Sequence, residues 1–94
     1  MMTAGYLQQG VVLLKRDLLI SNPSSDPYLW QLILAACEYI NAEGIDLVET
    51  PGDLQLVVMY AAYLYRRRRE ENAVMPRMLR YALNNRAIGG DANG

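Results

Sequence analysis

The chain has 94 residues, of which 52% are hydrophobic and 20% are charged, and its formal net charge at pH 7 is -1. This hydrophobic content is too high for a disordered protein, and the length predicts one domain over residues 1–88 and a flexible, glycine-rich tail over 89–94. The near-neutral charge excludes a protein whose overall field attracts nucleic acid or an anionic membrane.

The residue types that most enzymes and metal sites need are scarce. The sequence has no histidine and one cysteine, Cys37, so the commonest general base, the commonest zinc ligand and an internal disulfide are missing. Four acidic residues lie near one predicted loop, but they lack the spacing of a calcium loop: Glu43, Asp46, Glu49 and Asp53. We therefore expect no enzyme, no cofactor and no metal site.

Two further features concern the cellular location. No uncharged apolar run approaches the roughly 20 residues that a membrane-spanning helix needs, and the N-terminal residues do not resemble a signal peptide. These features predict a protein that is made in a reducing cytoplasm and has no membrane partner.

The first predicted helix covers about residues 3–20, and Gly10 weakens it locally. Spacings of four, three and four residues place its apolar side chains on one side: Leu7, Val11, Leu14 and Leu18. Turn-forming residues and Pro23 then end the helix.

The second helix is predicted from Asp26, a capping residue, with Pro27 in its first turn and Gly44 as a left-handed residue at its end. Its apolar side follows the amphipathic pattern throughout: Leu29, Leu32, Ile33, Ala36, Cys37 and Ile40.

The third helix, over about residues 51–71, is predicted from the capping Thr50 followed by Pro51. Its residues 54–65 are apolar on both sides, so we expect another copy of the chain to cover part of this surface. A short fourth helix follows Pro76 and ends near Asn85. The sequence therefore predicts an all-α fold, a small bundle of about four helices with a long central helix.

The run Arg66–Arg69 has three interpretations. The four side chains point in different directions around a helix, so they can be a solvated helix end that compensates the dipole and pairs with Glu70 and Glu71. They can also form salt bridges between subunits, or contact phosphates. Tyr60, Tyr63 and Tyr65 lie just before the run, and their apolar neighbours favour a core or protein interface over a platform for stacking bases.

Three stretches carry a resemblance to a known family. The two opening helices, the central helix from Pro51 to Arg66 with its basic end, and the closing segment from Met75 to Arg86 together resemble the head-tail connector proteins of long-tailed bacteriophages, also called adaptor or DNA-packaging proteins. The resemblance spans most of residues 7–88.

This resemblance implies a phage or prophage virion subunit without catalytic residues. It implies a homo-oligomeric ring below the portal protein, in contact also with the next head-tail joining protein, which extends the channel for double-stranded DNA without sequence-specific binding. The implied location is the head-tail interface of the virion, and the host cytoplasm before assembly.

Two assignments of residues follow. In the connector hypothesis, the subunit interface consists of Leu56, Tyr60 and Tyr63, with the rim residues Arg66, Arg67, Arg68 and Arg69. In the alternative hypothesis, the chain is a small helical nucleic-acid-binding regulator that contacts phosphates with Arg77, Arg80 and Arg86.

Overall fold

The computed structural model describes residues 2–89, which form four α-helices and no strand. The helices are α1 (Ala4–Leu18), α2 (Asp26–Ala42), α3 (Pro51–Arg69) and α4 (Arg77–Gly89), and a 3-10 turn, Pro23–Ser25, precedes α2. The prediction of a small all-α bundle with a long central helix is confirmed. The predicted tail lies outside the described residues except for Gly89, which is the last residue of α4.

The helix ends follow from local chemistry at most positions. The Thr50 hydroxyl accepts a hydrogen bond from the Asp53 N–H at 3.2 Å, as its position before Pro51 predicts. Gly44 follows α2 with φ 89°, a conformation that glycine adopts without a steric penalty. The predicted capping role of Asp26 is wrong, because Asp26 is the first residue of α2 and its carboxylate lies 2.8 Å from Lys15 Nζ on α1.

The central helix α3 packs against α1, α2 and α4, while α1 and α2 also pack against each other. The expectation that residues 54–65 leave apolar surface for another copy to cover is wrong. Leu56, Tyr60 and Tyr63 are only 5%, 6% and 9% exposed in the isolated chain. Their assignment as an uncovered interface fails because the chain itself covers α3 on more than one side.

Helix α4 provides part of this cover. Leu79 and Leu83 are buried on its inner side and belong to the same core as α3. The Arg80 guanidinium of α4 binds the Glu43 carboxylate at 2.9 and 3.1 Å, and both charges lie close enough to Tyr60 to affect its pKa. Tyr60 is therefore buried close to groups from α4 and the end of α2, where the sequence suggested open surface.

Candidate interaction surface

The end of α3 carries arginines that lie over tyrosine rings. We call this set the Arg–Tyr cluster, and its members are Arg67, Arg68, Arg69, Tyr28, Tyr39, Tyr63 and Tyr65. Tyr28 and Tyr39 belong to α2, so the cluster joins two helices. The arginines are exposed, and the rings beneath them connect the exposed charges to the core.

The contacts have the geometry of cation–π pairs, in which the cation lies within about 6 Å of the ring centre. Arg67 Cζ is 5.8 Å from the centre of Tyr39 and 5.5 Å from that of Tyr63. The corresponding distances are 5.6 Å from Arg68 to Tyr28 and 4.7 Å from Arg69 to Tyr65. Three long, flexible side chains are thus held on defined ring faces.

The tyrosines also contact one another. Tyr39 stacks on the buried Tyr60 with ring centres 5.7 Å apart and an angle of 7°, and Tyr60 meets Tyr63 edge to face at 5.9 Å. Burial, followed by the nearby Glu43 charge, raises the pKa of Tyr60 above its ordinary value. Tyr60 thus packs against two rings of the cluster, those of Tyr39 and Tyr63. Because its pKa is raised, its hydroxyl remains protonated at physiological pH.

The cluster keeps its positive charge. Polar contact with Tyr39, then with Tyr63, raises the pKa of Arg67. The predicted pairs of Arg66 with Glu70 and of Arg67 with Glu71 are absent from the ion pairs of residues 2–89, because α3 ends at Arg69 and Glu70 is already extended. Arg66–Arg69 do lie in the last turn of α3, where positive charge compensates the helix dipole. The prediction that Glu70 and Glu71 neutralise these arginines is wrong.

The three α4 arginines of the nucleic-acid alternative differ in their surroundings. Arg86 binds both carboxylate oxygens of the buried Asp53 at 2.9 and 3.1 Å, and Arg80 binds Glu43 in the same two-pronged way. A phosphate would have to displace these carboxylates, which disfavours the phosphate contacts predicted for Arg80 and Arg86. Arg77 is exposed, and no ion pair within residues 2–89 involves it.

Three of the four loop acids bind groups of the chain itself through their carboxylates. Glu43 binds Arg80, Asp53 binds Arg86, and Glu49 accepts the backbone N–H of Thr3, which lowers the pKa of that carboxyl. Within the described part of the chain, no group of three or more potential ligands is placed to hold a metal ion. Cys37 is half-buried, and burial raises the pKa of its thiol.

Sequence reasoning missed the α2 half of the Arg–Tyr cluster. Tyr28 and Tyr39 are eleven residues apart, which is about three turns, so both lie on the same side of a helix. This spacing could have predicted that they share one surface. The Asp53–Arg86 pair gave no such signal, because its members are 33 residues apart.

None of the four α-helices in residues 2–89 is both long and apolar enough to cross a membrane.

No protein-family model matches the chain, and no curated protein sequence or solved structure shows significant similarity to it.

Proposed function

We propose that the chain is a head-tail connector subunit of a long-tailed bacteriophage or prophage, which assembles as a ring below the portal and extends the DNA channel. The proposal begins from the resemblance of its two opening helices, central helix and closing segment to that family. The structural observation that supports this proposal is the Arg–Tyr cluster.

The Arg–Tyr cluster has the chemistry of a protein-binding surface. Tyrosine and arginine are enriched at protein interfaces and among the residues that contribute most binding energy. Guanidinium groups already held on rings lose less conformational entropy on binding than free side chains do. The cluster thus favours a contact with a neighbouring protein of the particle, where Arg67, Arg68 and Arg69 meet acceptor groups at the rim.

The channel role is consistent with the charge of the chain. A net charge of -1 gives no strong attraction for phosphates, so double-stranded DNA can pass without being held. The nucleic-acid-binding regulator is less favoured, because two of its three proposed phosphate contacts, Arg80 and Arg86, bind carboxylates of their own chain.

The location of the chain in particles tests the proposal. Particles are purified from the phage or prophage that carries the gene, and the chain is detected by mass spectrometry and by antibody labelling in electron microscopy. We expect a fixed ratio to the portal protein and label at the head-tail junction. Absence from intact particles, or label elsewhere on them, contradicts the proposal.

The role of the Arg–Tyr cluster is tested by replacing Arg67, Arg68 and Arg69 together with alanine. We expect roughly a tenfold or greater loss of heads joined to tails, because about 1.4 kcal/mol is already tenfold in affinity and a single interface arginine can contribute about 2 kcal/mol. Arg66→Ala is the matched control, since Arg66 belongs to the same run but has no ring contact within residues 2–89. An equal effect of both variants contradicts a role for the ring-bound arginines.

A further inference from the structure

Helix α4 carries exposed apolar side chains on the side that faces away from α3. Met78, Tyr81 and Ile88 are 75%, 58% and 85% exposed, and their spacings of three and seven residues place them on one side of the helix. We call these three residues the α4 stripe. They lie roughly opposite the buried Leu79 and Leu83, so the stripe points away from its own core.

An open groove of about 740 Å³ lies on a different part of the molecule, between the start of the chain, α2 and the loop before α3. We call it the α2 groove. Its apolar lining includes Met2, Leu34, Cys37 and Leu47, and its acidic residues are Glu38 and Asp46. No residue of α4 lines it. Its volume is in the range, roughly 300–1,000 Å³, of cavities that enclose a drug-sized ligand, so several side chains fit.

The stripe and the groove are complementary in charge. Arg77 lies beside the stripe and has no ion pair within residues 2–89, while Arg80 and Arg86 are neutralised by Glu43 and Asp53. Glu38 and Asp46 are exposed, and the ion pairs of the described residues do not involve their carboxylates. The stripe therefore presents one uncompensated cation, and the groove presents uncompensated anions.

We infer that the α4 stripe of one copy of the chain binds in the α2 groove of the next copy, with Arg77 facing Glu38 and Asp46. This inference rests on the proposed function and deepens it, because it names the surfaces through which neighbouring subunits meet. Two different surfaces meet in such a contact, so each copy keeps one stripe and one groove free until the series closes on itself. A ring requires this kind of interface.

Mixing two variants tests the inference by analytical ultracentrifugation. One variant carries Met78→Glu and Tyr81→Glu in the stripe, and the other carries Leu34→Glu in the groove. Wild type is expected to form species larger than a dimer, and each variant alone is expected to remain monomeric. An equal mixture is expected to form dimers and nothing larger, because each pair retains one intact stripe and one intact groove.

The matched control is Val12→Glu, since Val12 on α1 is as exposed as Leu34, at 45% against 41%, and belongs to neither surface. It is expected to assemble as wild type does. The inference is overturned if wild type remains monomeric, if either variant assembles normally, or if the mixture stays monomeric. Wild-type assembly that both variants retain overturns only this inference, whereas the particle labelling decides the connector function separately.

A charge exchange provides a second test at exposed positions that do not threaten folding. Arg77→Glu and Glu38→Arg are each expected to weaken assembly by about two- to fivefold, the range for an exposed ion pair. The double variant is expected to recover part of the lost assembly, because the pair with position 38 is re-formed with opposite polarity while Asp46 remains acidic. Failure of the double variant to recover overturns the pairing of these two residues.

Discussion

Asp53 is 4% exposed, and its carboxylate accepts hydrogen bonds from Arg86 on α4 and from the Val48 N–H at 2.8 Å. It thereby joins the start of α3, the preceding loop and the last turns of α4. Removal of one member of a buried pair leaves the other charge without compensation, which is more costly than loss of the attraction alone.

Asp53→Asn is therefore expected to lower the free energy of unfolding by about 3 kcal/mol. The matched control is Glu43→Gln, which breaks the more exposed pair with Arg80 and is expected to cost less than about 1 kcal/mol. Urea unfolding followed by the fluorescence of Trp30, the single tryptophan, measures both. Equal costs of the two variants contradict the special role of Asp53.

Tyr6 links α1 to the loop before α3, because its hydroxyl donates to the Thr50 carbonyl at 2.7 Å. Burial, then the Asp53 charge, raises the pKa of Tyr6 from 10.0 to about 12. Since the folded state holds this proton more tightly than the unfolded state, the stabilisation is complete below pH 10 and is lost as the pH rises to about 12.

Tyr6→Phe is expected to reduce the loss of stability between pH 10 and pH 12 relative to wild type. Unfolding experiments across this range measure the difference, and Tyr81→Phe on the exposed α4 stripe is the control for tyrosines in general. An unchanged pH dependence in Tyr6→Phe contradicts the raised pKa of the Tyr6 hydroxyl.

At the scale of the element, α1 contains two glycines in different surroundings. A Cβ added at Gly10 would lie 3.3 Å from Ile33 Cδ1 and 3.4 Å from Leu54 Cδ1, whereas no atom of residues 2–89 lies within 4 Å of one added at Gly5. Gly10 thus lets α1 approach α2 and α3 closely. From the sequence alone, Gly10 was predicted only to weaken the helix, because glycine has a low helix propensity.

Gly10→Val is expected to destabilise the protein by about 1–3 kcal/mol, because its branched side chain overpacks this contact. Gly5→Ala is expected to stabilise it by up to about 1 kcal/mol, because alanine favours a helix and has free space there. Thermal unfolding of the two variants measures both effects. Stabilisation by Gly10→Val contradicts the close approach of the helices.

The helices themselves were predictable because their signals are local. Thr50, Pro51 and Gly44 mark helix ends by backbone chemistry that acts within a few residues. Helix α4 extends beyond the predicted end at Asn85 to Gly89, and Arg86 in this extension binds Asp53. That partner is distant in the sequence, so local patterns did not reveal the extension.

The candidate surface was predictable only in part. The sequence drew attention to Arg66–Arg69 and to the tyrosines of α3, and three of these arginines do belong to the Arg–Tyr cluster. It did not show that Leu56, Tyr60 and Tyr63 are buried, because burial depends on how α4 and the end of α2 pack over α3. Helix α4 instead carries three exposed apolar side chains, those of Met78, Tyr81 and Ile88.

At the scale of the whole molecule, the chain measures 38 × 33 × 19 Å. The shortest dimension is about two helix diameters, since one helix with its side chains is about 10–12 Å wide. The α4 stripe and the α2 groove are separate surfaces of this flat molecule, which is the arrangement that lets identical copies join in series and close.

Native mass spectrometry of the purified wild-type chain over rising concentration tests this central claim most directly. The account predicts that monomers give way to one dominant closed oligomer, with no larger species above it. A chain that remains monomeric at every concentration, or an open-ended series of ever larger species, would contradict the account.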